Sequence, residues 1–427
     1  MSTDIQCKQE KPKGLFRLVY LGCRVNQYEI QAYRDQIKLM GYKEVENDDV
    51  PADVCVINTC TVTSSAASSS RNQIRRLIRN NPNAKIFVTG CFSEETPDLM
   101  TQFPGITAVI PNSRKEFLLE ELLNEGEELP EFSIKRFDDH SRAFIKIQDG
   151  CNSFCTYCII PYVRGRSRSK KIPAILKEIN EVVNSGYREV VIAGINLGDF
   201  KDAQHSLGDL LRAVNDVEGL ERIRLSSIDP DDFDDDLTEA VINTPKVCPS
   251  LHLVLQSGSN VTLKRMNRKY TRQIFLDRVH RFKEQIPGFT FSTDVIVGFP
   301  GETERDFQET LDVIEEVGFV KVHIFPYSPR KGTRAAQYDG MIPKDVMDLR
   351  KSYLARYSEE RAFRQRQQYI GKEISVLTEQ GKGDYISGHS PEFIKIMIPR
   401  TNEVRVNRMV KVLITENSLE GLIGRPV

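Results

Sequence analysis

The chain has no long hydrophobic run. Its longest apolar stretches, such as residues 189–194, are strand-sized and fall far short of a bilayer span. Residues 1–13 are polar and carry no apolar core of a secretory leader, so the expectation is a cytoplasmic protein with no membrane contact. An excess of one charge is missing as well. Lys and Arg number 59 against 60 Asp and Glu, a net charge of −1, which excludes a wholly basic nucleic-acid coat and an acidic disordered chain. Internal repeats, long low-complexity tracts and tryptophan are all absent. Histidine is scarce, at six, whereas cysteine reaches nine. In a reducing compartment that many thiols favour metal binding or catalysis over disulfides.

What is present is a globular composition, 40% hydrophobic and 28% charged, on a chain of 427 residues. That length accommodates two or three domains, each able to bury a core. Residues 15–124 alternate strand and helix patterns, which predicts a doubly wound parallel sheet. Residues 125–138 are acidic and turn-rich and read as a linker. Alternation restarts over residues 139–367 with six strand candidates: 144–149, 189–194, 222–227, 251–257, 289–298 and 320–327. Six β/α units are fewer than the eight of a closed barrel, so a partial (β/α)6 barrel is expected. After a charged helix over residues 343–368, short β runs at 373–380, 393–399 and 404–414 predict a small all-β barrel over residues 368–427. Turns are expected at 381–383 and 387–390.

The sharpest chemical signal is CNSFCTYC, which sets Cys151, Cys155 and Cys158 within eight residues. Iron–sulfur clusters normally take four cysteines, so three leave one iron open. A zinc site completed by a distant histidine is the bland alternative, and no histidine lies in the motif. Cys23, Cys60 and Cys91 are far apart in sequence, yet each ends a predicted strand, in LGC, NTC and TGC. In a doubly wound sheet such ends share one rim. Gly22 and Gly90 would permit close backbone approach there. The alternative is three unrelated core thiols. Cys55 reads as buried filler; Cys7 and Cys248 read as bystanders.

The CNSFCTYC motif, with Tyr157 before its last cysteine, resembles the radical S-adenosylmethionine (SAM) signature. With LGCRVNQYE, VINTCTVTSSA and TGCFSE, the chain resembles the methylthiotransferase family over nearly its whole length. It is most similar to the MtaB-type tRNA branch. The resemblance implies an N-terminal cluster domain, a radical-SAM domain and a C-terminal TRAM barrel. It implies two [4Fe–4S] clusters, on Cys151, Cys155 and Cys158 and on Cys23, Cys60 and Cys91. It further implies SAM as methyl donor and radical source, and a methylthio group placed at C2 of N6-threonylcarbamoyladenosine-37, beside the anticodon. Partners so implied are a tRNA anticodon stem-loop and an electron donor such as flavodoxin or ferredoxin. Because the hard chemistry belongs to the cofactors, no side chain is singled out as catalytic. Two positions depart from the family pattern: Val254 replaces a usual proline, and Asp229 a common glutamate.

Strand ends and Gly-rich turns nominate Gly194, Asn196, Ser226, Ser257, Asp294 and Gly298, with Tyr157, as SAM contacts. Basic stripes nominate Arg71, Arg75, Arg164, Arg166 and Arg168 as phosphate contacts. Rival readings are a methylthiotransferase acting on a ribosomal-protein aspartate and a non-catalytic iron–sulfur RNA-binding sensor.

Overall fold

The computed structural model describes residues 11–47, 49–96, 98–124, 126–138, 140–401 and 404–427. Cys7 and most of the polar stretch 1–14 lie outside the described residues. The chain divides into two compact units, Met1–Ile134 and Lys135–Val427.

The first unit runs β1 (Leu15–Tyr20), α1 (Arg24–Leu39), β2 (Lys43–Glu44), β3 (Val54–Thr59), α2 (Ser64–Asn80), β4 (Lys85–Gly90), α3 (Cys91–Glu95), α4 (Leu99–Gln102) and β5 (Ala108–Val109). All five strands are parallel, in the order β2-β1-β3-β4-β5. β3 is buried along its whole length, so its VCVINT run has no polar alternation. Ile57, Ile74, Leu77 and Val88 fill one face of the sheet, while Phe16, Tyr33, Ile37, Val56 and Phe87 fill the other. The stretch expected as a linker takes part in this packing. Phe132 sits 5.1 Å from the Tyr33 ring, and Gln36 donates to the Pro130 carbonyl at 2.5 Å.

The second unit begins with β6 (Ala143–Lys146), β7 (Gln148–Asp149), α5 (Ile160–Val163), β8 (Arg168–Ser169), α6 (Ile172–Asn184), β9 (Glu189–Ala193) and α7 (Leu207–Asn215). It continues with β10 (Arg222–Leu225), β11 (Ser227–Ile228), α8 (Asp235–Asn243), β12 (Ser250–Leu253), α9 (Asn260–Arg265), α10 (Arg272–Gln285), β13 (Thr290–Val297), α11 (Glu304–Val317) and β14 (Lys321–Pro326). Two parallel sheets result, β10-β9-β6 and β11-β12-β13-β14. Every expected strand window of this region holds a strand, and Ser226 interrupts the third. Sharp helix starts explain the alternation: Ser206 and Thr303 each form a capping box, with Asp209 and Asp306.

A long helix, α12 (Lys344–Arg366), leads to β15 (Glu373–Glu379), β16 (Tyr385–His389), β17 (Lys395–Pro399), β18 (Met409–Ser418) and β19 (Gly421–Pro426). These close into a barrel in the order β15-β16-β17-β19-β18. The expected turn at 387–390 is instead mostly strand. Gly388 pairs with Ile396, and a Cβ at Gly388 would lie 2.4 Å from the Leu377 carbonyl oxygen. The small residue serves close strand packing rather than a reversal. Residues 404–408, expected as strand, precede β18. The barrel docks through buried arginines. Arg224 reaches the Pro391 and Ser390 carbonyls at 3.0 and 3.2 Å, and Arg222 reaches the Ser375 carbonyl at 2.8 Å. Among the described residues, no helix is long and apolar enough to cross a membrane.

Candidate functional site

Cys151, Cys155 and Cys158 lie on the loop after β7, and cross-loop bonds shape it. The Cys151 N–H donates to the Gly165 carbonyl at 3.1 Å and the Thr156 N–H to the Met266 carbonyl at 3.0 Å. Asn267 Nδ2 donates to the Phe154 carbonyl at 3.1 Å. Gly150 opens the loop at φ +77°, and a Cβ there would sit 2.2 Å from the Arg166 carbonyl oxygen, so only glycine fits. Burial pushes the Cys158 thiol up to about 12, and the nearby Cys155 and Cys151 add to it. Burial raises Cys151 too. Thiols that raise one another in this way are suited to share one cationic centre. Three thiols on one loop, with no histidine among residues 151–158, are the donor set of a [4Fe–4S] cluster with one iron left open.

Arg268, which sequence reasoning did not single out, completes this site. Its Nη1 donates to Cys155 Sγ at 3.1 Å, its Nε to Tyr270 Oη at 3.1 Å, and its Nη2 pairs with Asp229. The Asp229 departure thus keeps a carboxylate on this guanidinium. At the other departure, the Val254 N–H donates to the Ile228 carbonyl at 3.1 Å, a bond proline could not make.

Of the expected SAM contacts, Gly194, Asn196, Ser226, Ser257 and Gly298 follow the carboxyl ends of parallel strands. Gln148, which sequence reasoning missed, accepts from the Ile195 and Asn196 N–H groups at 2.9 and 3.0 Å and so fixes the Gly194–Asn196 turn. A Cβ on Gly194 would lie 2.9 Å from Leu197. Gly298 adopts φ +72°, with its N–H on Glu302 at 2.6 Å. Ser257 is fully buried and accepts from the Ser259 N–H at 3.2 Å. Ser226 Oγ, Gln256 Oε1 and Tyr327 Oη are buried at these strand ends without hydrogen-bond partners. Such orphaned groups fit a polar ligand like SAM. The Tyr157 ring stands 6.3 Å from Phe299. Asp294 lies mid-strand, with its Oδ1 3.2 Å from His252 Nε2.

In the first unit, Cys23 precedes α1, Cys60 follows β3 and Cys91 opens α3. A Cβ on Gly22 would lie 2.7 Å from Cys60 Sγ, and one on Gly90 2.4 Å from the Thr59 carbonyl oxygen. Both glycines have left-handed backbones, at φ +94° and +100°. Asn26 clamps the same rim, donating to the Leu21 and Thr59 carbonyls at 2.6 and 3.1 Å. Cys60 and Cys91 are buried and Cys23 is exposed. Beneath them, Asn58 donates to Glu29 at 2.8 Å, and Glu29 pairs with buried Lys115 at 2.6 Å. Cys55 within β3 and Cys248 just before β12 are buried, their thiols pushed up by burial to about 12 and about 11.

Four of the five nominated arginines can reach solvent. Arg75, Arg166 and Arg168 are exposed, and Arg71 is half-buried over the Phe92 ring. Arg164 corrects the expectation. Its side chain is fully buried and donates to Asp149 at 2.8 Å, so it neutralises a carboxylate and cannot meet a phosphate.

Residues 145–314 match the radical SAM superfamily model, and residues 16–111 match an uncharacterised protein family, UPF0004. The chain is 51% identical to the threonylcarbamoyladenosine tRNA methylthiotransferase MtaB of Chlamydia pneumoniae, over 97% of this chain and 99% of that protein. It is 37% identical to the enzyme of the same name from Bacillus subtilis, over 92% of each. Among solved structures, the radical SAM methyltransferase TsrM of Kitasatospora setae shares the fold. Its TM-score is 0.56 at 13% identity, over 86% of this chain and 79% of that one. The α/β core of the second unit is thus of radical-SAM type, and the small barrel is consistent with a TRAM-like domain. With that identity across almost the entire length and the cysteine loop intact, the chain belongs to the radical-SAM methylthiotransferase family.

Proposed function

We propose that the protein is a tRNA methylthiotransferase that places a methylthio group at C2 of N6-threonylcarbamoyladenosine-37. The observation that carries this reading is the 51% identity over 97% of the chain to an enzyme named for that activity. The two cysteine trios at strand ends support it. Cys151, Cys155 and Cys158 would hold one [4Fe–4S] cluster and Cys23, Cys60 and Cys91 a second. With SAM bound, these groups would supply the radical and the methyl group that an unactivated aromatic C–H demands.

The chain's own part is positioning. Gly194 and Gly298 would border SAM, with Asn196, Ser226, Ser257 and Tyr157 around it. Arg268 holds Cys155 in place. Arg71, Arg75, Arg166 and Arg168 would neutralise phosphates of the anticodon stem-loop, whose unstacked bases can enter a pocket. In this reading the domains are 15–124, 139–367 and 368–427: a doubly wound cluster domain, a partial (β/α)6 barrel and a TRAM barrel. Flavodoxin or ferredoxin would deliver the electron. Nucleoside mass spectrometry on tRNA from a deletion strain tests the proposal. Loss of the methylthio derivative, with its return on complementation, is expected. Its persistence with no second enzyme able to make it sinks the assignment.

A further inference from the structure

Within the second unit, three adjacent parallel strands present a histidine, an aspartate and a histidine on one face. His252 on β12 is in register with Ser292 on β13, and Asp294 on β13 with His323 on β14. This face is opposite the one where Phe291 packs on Phe282 of α10. The ligand atoms of the three side chains all lie within 4.8 Å of one another. The imidazole rings of His252 and His323 are 5.6 Å apart, tilted by 47°.

The hydrogen bonding of His252 indicates what belongs between these groups. Its Nδ1 lies 3.0 Å from Ser292 Oγ. Its Nε2 lies 3.2 Å from Asp294 Oδ1. With Ser292 accepting from Nδ1–H, Nε2 and Asp294 Oδ1 present two ligand atoms to a cation between them. A hydrogen-bond partner on the remote ring nitrogen also orients ligating histidines at metal sites. Strands, rather than loops, fix the spacing, so the donors are positioned before any ion arrives.

We propose that His252, Asp294 and His323 form a binding site for a first-row divalent cation, with Zn2+ as the reference ion. Two imidazoles and one carboxylate suit that class, and three protein ligands leave a coordination position open for an oxygen donor. The site uses none of the six cysteines and does not depend on the substrate assignment. It gives Asp294 a cation, rather than SAM, as its ligand.

The test uses anaerobically reconstituted holoenzyme, dialysed against Zn2+ and then metal-free buffer. Zinc is counted by mass spectrometry and its ligands are read by X-ray absorption. The expected result is about one retained zinc per chain with only nitrogen and oxygen neighbours, near 2.0–2.1 Å. His323→Gln, at an exposed position, and Asp294→Asn should each lose it while iron and sulfide stay unchanged. Three results would overturn the site: no zinc retained, sulfur neighbours near 2.3 Å marking zinc in the cysteine loops, or full retention in His323→Gln.

Discussion

Gly90 sits where three constraints meet: a left-handed backbone, contact with the Thr59 carbonyl, and the cysteine that follows it. Gly90→Ala should destabilise the first unit by roughly 2–4 kcal/mol. In Gly22→Ala, the added carbon displaces the Cys60 thiol. Chemical iron analysis of the reconstituted variant should show about half the wild-type iron, with the second unit's share intact. Arg268 gives a redox prediction. Its positive charge on Cys155 favours the more negative, reduced cluster. Arg268→Gln paired with Asp229→Asn, which avoids a stranded carboxylate, should lower the reduction potential by several tens of millivolts in EPR-monitored titration. Asp232 gives a pH prediction. Burial, then Asp229, Asp231 and Asp199, push its carboxyl up to about 7. An acid whose pKa is raised on folding loses stability as pH climbs from its unfolded value to its folded one. Asp232→Asn should therefore be the more stable protein above pH 7, by about 2 kcal/mol, with the gap closing toward pH 4 in thermal melts. Of these residues, the two glycines were legible in the sequence, because Gly-Cys at a strand end is a local pattern. Arg268 and Asp232 were not, because their roles depend on contacts 39 to 113 positions distant or on burial that no local pattern reports.

At the scale of elements, periodicity located the parallel strands because several, β3, β9 and β10 among them, are buried on both faces, and capped helices flank them. It failed where packing overrode local composition. Ser387-Gly388-His389 reads as a turn, yet barrel closure makes it strand β16. The acidic stretch after residue 124 reads as a linker, yet Phe132 packs on Tyr33. Arg164 falls in a basic run, but Asp149 draws it inside. Docking of the small barrel depends on an element junction equally silent in sequence. Arg224 is buried, bonds Glu189 at 2.9 Å and spans to the barrel's carbonyls. Arg224→Met leaves Glu189 only the longer contact with Arg222, at 3.6 Å, and should cost about 2–3 kcal/mol in denaturant unfolding. Adding Glu189→Gln should recover a substantial part of that loss.

For the molecule as a whole, near-zero net charge conceals local basic stripes, so RNA affinity should rest on a few arginines. Replacing Arg166 and Arg168 with Ala should weaken anticodon stem-loop binding for any sequence. The slope of log K against log salt should fall by about 1 per lost phosphate contact. Arg164→Ala should instead act through stability, since its partner is Asp149. The family itself was legible from six cysteines, split three and three at strand ends, and that split is the claim on which the proposed chemistry depends. Anaerobic iron and sulfide quantification tests it most directly, on the wild type and on Cys23/Cys60/Cys91→Ala and Cys151/Cys155/Cys158→Ala. The account predicts about eight irons in the wild type and about four in each triple variant. About four irons in the wild type, or a triple variant that empties both sites, would contradict it.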